Sequence, residues 1–112
     1  MKPGAFVILH LINPSEKIWG ALEELAPVGI TLRGINMASF EEWMIEIARG
    51  EPPTLGLATM FVPLFRVERM FLDEQVGAVA SYRQRFLERV GLTVESYLGL
   101  ADVDPAGGSK PS

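Results

Sequence analysis

Cysteine is absent from the 112 residues of this chain. Its absence excludes disulfide bonds, thiolate zinc sites and cysteine nucleophiles. Histidine occurs once, at His10, within a strand-like apolar segment. A histidine in that setting is more often a structural, hydrogen-bonded residue than a base or a ligand, and no orienting partner or ligand set can be assembled around it. We therefore predict no catalytic residues, no metal, no cofactor and no enzymatic activity.

Basic residues and long apolar runs are also scarce. The chain has 10 Lys and Arg against 14 Asp and Glu, which gives a net charge of −4 at pH 7. This balance disfavours a general nucleic-acid binder, because such proteins present a basic face to the phosphates. The apolar run FVILHLI has the length of a strand, whereas a membrane-spanning helix needs roughly 20 residues. No signal-peptide pattern is evident, so we expect a cytoplasmic protein without a membrane segment.

What the chain does contain indicates one small folded domain. Apolar residues make up 48% of it, which is typical of a folded domain and also suggests that some apolar surface is buried in an oligomer. We predict a single domain at residues 1–101. The segment DVDPAGGSKPS at 102–112 has the composition of a disordered tail.

Five segments have the composition and alternation of β-strands. The first three are predicted at Phe6–Ile12, Lys17–Leu25 and Ile30–Ile35, with Gly20 marking a strong bend in the second. The stretch TMFVPLFRVERMFLDE then gives a fourth strand, a corner opened by Pro63 and a fifth strand. At the end of the fifth strand, Asp73 and Glu74 are expected to be solvated charges that protect a sheet edge.

Two helices complete the prediction. The first begins at Ser39, which is expected to form a capping box with Glu42, and it ends at Gly50. Its apolar stripe includes Trp43 and must dock on the barrel or on a neighbouring subunit. The second helix is predicted from Gln75 to Val90, ending at Gly91. Thr93 is expected to cap a short final turn.

The order of these elements resembles that of the Sm-like family, which includes the bacterial RNA chaperone Hfq. The segment IWGALEELAPVGITL is similar to the first motif of the family, and VPLFRVERMF is similar to the second. The resemblance implies a mixed β and α fold, namely an SH3/Sm-like five-stranded small barrel with a helix inserted between strands 3 and 4 and a C-terminal helix. A non-barrel α+β sheet with the same element order is the alternative fold.

The resemblance does not extend to the nucleotide-binding residues of the family. Ala26, Pro27, Val28 and Gly29 stand where Sm proteins carry an Asp and an Asn, and the corner reads Leu64-Phe65-Arg66 in place of the Arg-Gly or Lys-His of the second motif. The resemblance therefore implies a barrel and ring assembly better than it implies RNA binding. The residues that remain candidates for an interface or an RNA contact are Phe65, Arg66, Arg69 and Trp43.

The other polar clusters have simpler structural interpretations. Glu23 and Glu24 should point to opposite faces of a strand, so they cannot act as a catalytic pair. Glu41 and Glu42 lie where a helix dipole favours negative charge. A cluster of arginines on the second helix is most simply a solvated face, with a patch for an acidic partner or a nucleic acid as the alternative; its members are Arg83, Arg85 and Arg89.

Our leading functional hypothesis is a non-enzymatic interaction module that self-associates, because small barrels expose strand edges that a second copy can pair. Val7, Leu9 and Leu11 are assigned to the outer face of the first strand, where an oligomer would bury them. The alternative is RNA binding in the Sm-like manner through Arg66 and Arg69 with aromatic neighbours such as Phe65. A small enzyme is a third hypothesis that no residue supports. A protein partner is compatible with the acidic charge, and the sequence does not indicate its identity.

Overall fold

A computed structural model describes residues 1–100. The tail predicted at 102–112 lies outside these residues. Three helices and five strands are present, and the predicted helix between the third and fourth strands is confirmed. The strands are β1 (Phe6–Leu11), β2 (Glu16–Ala26), β3 (Gly29–Asn36), β4 (Ala58–Pro63) and β5 (Val67–Leu72), and the helices are α1 (Phe40–Ala48), α2 (Tyr82–Val90) and α3 (Val94–Leu98).

The strands form one antiparallel sheet in the order β4-β3-β2-β1-β5. The predicted combination of a five-stranded sheet with helices is therefore confirmed. Within residues 1–100 no hydrogen-bonded ladder joins β4 to β5, so the sheet is open and β4 and β5 form its two edges.

The sheet is nevertheless strongly curved, because a three-residue 3-10 turn at Leu64–Arg66 reaches both ends of β2. At one end of the turn, the Leu64 amide donates a hydrogen bond of 3.0 Å to the carbonyl of Val28, which lies just after the end of β2. At the other end, the Arg66 carbonyl accepts a hydrogen bond of 2.8 Å from the amide of Ile12, which lies before the start of β2. A straight strand of 11 residues would span about 36 Å. The single turn can bridge these two ends only because β2 coils between them.

Gly20 lies in the middle of β2, directly opposite Gly34 of β3. A Cβ added to Gly20 would overlap the Arg33 carbonyl oxygen and the Gly34 Cα, and it would lie 2.8 Å from the Arg33 carbonyl carbon. Only a residue without a side chain permits this approach of two backbones. The bend predicted at Gly20 therefore coincides with a close approach of β2 and β3, and a bulge between Leu22 and Glu24 follows it.

One apolar core lies on the sheet face that faces away from the helices. Val7, Leu9 and Leu11 belong to it and are buried, so their assignment to an outer oligomer surface was wrong. They were misassigned because β1 is apolar on both faces. The sequence pattern shows that both faces are buried, but it does not show whether the same chain or a second copy covers each face. The full cluster of buried residues is Val7, Leu9, Leu11, Ile18, Leu22, Ile30, Leu32 and Val62.

A second core lies between the sheet and the helices, and it is rich in aromatic rings. The Trp19 ring from β2 stacks on Phe6 at 5.1 Å and meets Phe40 edge-on at 5.0 Å. Trp43 of α1 packs against Phe86 of α2 at 5.2 Å. Contacts between α1 and α2 thus hold both helices on the same face of the sheet.

The helix boundaries differ from the predictions at two N-termini. Ser39 precedes α1 but makes no capping hydrogen bond, because a 3-10 turn at Met37–Ser39 already leads into the helix and is capped by the Asn36 side chain. The predicted capping box with Glu42 was therefore wrong. The second helix begins at Tyr82 and not at Gln75, because Ser81 forms a capping box with Gln84. The predicted ends at Gly91 and the cap at Thr93 are confirmed.

Candidate functional site

The predicted contact residues Phe65 and Arg66 both lie in the Leu64–Arg66 turn between the two edge strands. The Phe65 side chain is 82% exposed, and the neighbouring Leu64 is also exposed. Val28 is exposed as well, and its carbonyl oxygen accepts the hydrogen bond from the Leu64 amide. The turn therefore presents an apolar surface, which we call the apolar corner, consisting of Val28, Leu64 and Phe65.

Arg66 has a structural role that the sequence did not indicate. Its Nε donates to the Ile12 carbonyl at 2.9 Å, and its Nη2 donates to the Pro14 carbonyl at 2.7 Å. Glu16 lies 3.9 Å from the same Nη2 atom. These contacts attach the corner to the turn between β1 and β2, so the guanidinium already has partners within the chain.

Arg69 lies on β5, at the opposite edge of the sheet from β4. It is exposed, and its Nη2 is 3.6 Å from the Glu68 carboxylate. Its cross-strand neighbour is His10 of β1. Arg69 and Arg66 therefore have different surroundings in the structure. Arg66 donates to backbone carbonyls near the corner, whereas Arg69 lies beside Glu68 and opposite His10.

Trp43 is the one candidate that the structure does not place on the surface. It is 1% exposed and lies in the core between the sheet and the helices. Its ring approaches those of Trp19, Phe40 and Phe86 at 5.2–6.1 Å. In the described chain Trp43 is a core residue, and α1 docks on its own sheet.

The edge strands carry exposed apolar residues that sequence reasoning did not single out. Phe61 of β4 is 54% exposed, and Phe71 and Leu72 of β5 are also exposed. The sequence showed that these residues alternate along strands, but it did not show which strands would be edges. The order of strands in the sheet supplies that information.

Asp73 was expected to be solvated, and this expectation was wrong. It is 4% exposed and accepts three hydrogen bonds, one from Trp19 Nε1 at 2.9 Å and two from the amides of Tyr82 and Arg83 at 2.8 and 3.0 Å. The carboxylate thus joins the end of β5, the core tryptophan and the first turn of α2. The helix dipole favours a negative charge at this position.

His10 lies in a row of basic side chains. Burial lowers its pKa, and the charges of Lys17 and Arg69 lower the pKa further, whereas Glu68 opposes them. The His10 ring meets the Phe71 ring edge-on at 4.9 Å. The histidine is therefore in its neutral form near pH 7, next to two permanent cations and an exposed aromatic ring.

The arginines of α2 are largely paired within the chain. Arg85 contacts Glu41 of α1 at 2.6 Å, and its guanidinium lies over the rings of Phe40 and Tyr82. Arg83 forms an ion pair with Glu95 of α3. These contacts favour the interpretation of a solvated face whose charges connect the three helices.

Within residues 1–100, no group of three or more His, Asp or Glu side chains could hold a metal ion. None of the helices in that range is long and apolar enough to cross a membrane.

Comparison of the chain with protein-family models, with curated proteins and with solved structures found no match. Membership of the Sm-like family therefore remains a prediction that rests on the two sequence motifs.

Proposed function

We propose that this chain is a non-enzymatic interaction module that self-associates through the edges of an SH3/Sm-like small barrel. The observation that carries the proposal is the state of the β4 edge. β4 pairs with β3 on one side, and no described strand pairs with its other side. Its backbone groups on that side are available to a strand of a second copy.

The composition of β4 supports this use of the edge. The segment ATMFVP contains no charged side chain, whereas proteins usually protect an edge with charges or a covering element. By contrast, β5 carries Glu68 and Arg69 in its middle. β4 is therefore the less protected edge, and strand pairing there would bury Phe61 as well.

The apolar corner continues this surface. The backbone of Gly29, next to Val28, lies against the Phe61 ring, and Leu64 follows Pro63 at the end of β4. Phe61 and the apolar corner thus lie beside one another. An exposed apolar surface of this kind beside an open edge is typical of a protein–protein contact.

The barrel in this proposal is supported by the curvature of β2. The Leu64–Arg66 turn brings together the regions before and after β2, and eight apolar residues on the concave side are buried without any helix over them. A sheet that coils around its own side chains approaches the geometry of a small barrel.

Light scattering coupled to gel filtration tests the proposal. We expect the wild-type chain at micromolar concentration to have a mass of at least twice the 12.3 kDa of one chain. Thr59→Lys and Phe61→Lys place a charge on the β4 edge and should lower that mass, because a lysine at an edge opposes pairing. Leu92→Lys is the control, since Leu92 is also exposed but lies in the loop between α2 and α3.

A single-chain mass for the wild type at micromolar concentration would refute self-association. An oligomer that persists in both edge variants would refute the assignment to β4. RNA binding through Arg66 and Arg69 is the weaker alternative, because the Arg66 guanidinium is engaged with Ile12 and Pro14. A cytoplasmic location remains part of the proposal.

A further inference from the structure

Three basic side chains lie in a row across adjacent strands. His10 of β1 is directly opposite Lys17 of β2 on one side and directly opposite Arg69 of β5 on the other. Directly opposed residues have Cβ atoms about 4.5–5.5 Å apart. We call these three residues the basic row. Near pH 7 the neutral His10 lies between the charged side chains of Lys17 and Arg69, and the row is suited to an anion that would contact all three.

Few carboxylates compensate the basic row. Glu68 contacts Arg69 at 3.6 Å, but both side chains are more than half exposed, so water weakens this pair. Lys17 has no carboxylate within 4.0 Å in the part of the chain that the structure describes. Glu16, the neighbour of Lys17, lies beside Arg66.

An apolar groove adjoins the basic row on the same face of the sheet. Two residues along from the His10–Arg69 pair, Ile8 lies opposite Phe71. Phe71 is 42% exposed and touches the His10 ring. The groove has a volume of about 240 Å³. It is lined mainly by apolar side chains, among them Ile8, Phe71, Val76 and Val79, and Asp73 and Glu74 also line it.

We propose that the basic row and the groove together bind a small phosphorylated molecule that carries one flat ring system, in the class of the mononucleotides. The phosphate accepts hydrogen bonds from Lys17, Arg69 and a ring nitrogen of His10. The ring system lies in the groove against Phe71. Charge-assisted hydrogen bonds to a phosphate are among the stronger polar contacts in proteins, and an aromatic side chain adds stacking.

The surroundings favour a single phosphate over a polyanionic strand. A phosphate monoester carries a charge of about −1.5 to −2 near pH 7, which the two permanent cations of the row can balance. Glu68 lies beside Arg69 and Glu74 lines the groove, so the additional phosphates of a strand would meet these carboxylates, and the whole chain is negatively charged. The site lies on a sheet face and does not involve β4, so this proposal is independent of self-association.

Amide NMR of the full, isotope-labelled chain tests the site directly. The probes are AMP, adenosine and inorganic phosphate. We expect AMP to shift the amide signals of β1, β5 and the start of β2, with a dissociation constant in the millimolar range or tighter. Adenosine and inorganic phosphate should each bind more weakly, because each has one half of the required chemistry.

Two variants separate the halves of the site. Lys17→Gln with Arg69→Gln should weaken AMP binding at least about tenfold, since each ionised contact is lost. Phe71→Leu should weaken the binding of AMP but leave that of inorganic phosphate unchanged. The control is Arg49→Gln with Arg89→Gln, which removes the same charge from exposed positions just after α1 and within α2 and should change AMP affinity by less than about twofold.

Several results would overturn the proposal. One is the absence of AMP-dependent shifts, and another is an equal loss of affinity in the control variant. Adenosine binding as tightly as AMP would show that the basic row is not used. If a short single-stranded RNA bound the row more than tenfold tighter than AMP, the ligand class would be a nucleic-acid strand and not a mononucleotide. Thermal melting of each variant shows that it is folded before its affinity is compared.

Discussion

Replacing Gly20 with alanine tests the curvature on which the fold depends. The added methyl group would overlap the Arg33 carbonyl oxygen and the Gly34 Cα, both of which are backbone atoms. They belong to β3, which is paired with β2 along most of its length. The overlap therefore cannot be relieved by rotating a side chain, and the two strands must separate or β2 must straighten.

The expected cost follows from this geometry. Overpacking a well-packed interior typically costs 1–3 kcal/mol, and an overlap with paired backbone should reach about 3 kcal/mol or more. A domain of this size has about 5–15 kcal/mol of stability in total. One kcal/mol corresponds to about 4–8 °C in Tm for a small domain, so the Tm of Gly20→Ala should fall by about 12–24 °C or the chain should fail to fold.

Gly56→Ala provides the matched control for this substitution. A Cβ at Gly56 would have no atom within 4 Å, and its φ is not positive, so the control should be neutral or stabilising by less than about 1 kcal/mol. The measurement is thermal unfolding by circular dichroism at one fixed protein concentration, because association would make Tm depend on concentration. Equal Tm values for the two variants would refute the close approach of β2 and β3.

Three further predictions concern single side chains. Asp73→Asn should reduce the free energy of unfolding by about 3 kcal/mol or more, as measured by urea titration. The amide nitrogen replaces one carboxylate oxygen and so leaves buried N–H donors without an acceptor. Unchanged stability would contradict the three hydrogen bonds. Trp43→Ala should cost about 3–5 kcal/mol in the same assay, whereas an intact stability with a lower oligomeric state would make α1 an interface. Because the pKa of folded His10 lies below its ordinary value of 6.5, the unfolded chain takes up its proton first as the pH falls from about 8 to about 5, and stability should decrease. The part of this decrease that is due to His10 should disappear in His10→Gln, and an identical pH dependence in the two proteins would contradict the lowered pKa.

The strands were the part of the fold that the sequence predicted best. Alternating β-branched and aromatic residues fixed all five strands to within a few residues, because the period of two is a local property. Pro63 marked the corner between β4 and β5, since proline opens a turn and lacks an amide hydrogen. The predicted helix between β3 and β4 also depended on a local signal, its apolar stripe.

The N-termini of the helices were harder to predict from the sequence, because competing local signals were present. Ser39 and Glu42 have the spacing of a capping box, but Asn36 starts a 3-10 turn first and thereby removes the extended backbone that a capping serine requires. Likewise, Gln75 starts a stretch that looks helical in composition. The Ser81–Gln84 box starts the helix only at Tyr82, and the segment before it holds a bridge between Val76 and Val79.

The candidate site was less accessible to sequence reasoning because it depends on which strands are neighbours. His10 and Lys17 lie on consecutive strands, but Arg69 is far from both in the chain, and only the order β2-β1-β5 brings the three into one row. The role of Asp73 depends in the same way on Trp19, which is 54 positions away. No periodicity or motif reports such contacts, so they could not be found before the strand order was known.

The burial of both sheet faces decides where a second copy can bind. A strand such as β1, with apolar residues on both sides, indicates that both faces are covered but not by which molecule. In this structure the chain covers most of both faces itself, one by coiling the sheet and the other with three helices. A stack of two sheets face to face would therefore find little exposed apolar surface, with Phe71 and the groove beside it as the exception. The self-association that we propose would therefore use the strand edges and the apolar corner, where Phe61 and Phe65 remain exposed. Backbone hydrogen bonds would form such an interface, and a charge on β4 should disrupt it without loosening either core.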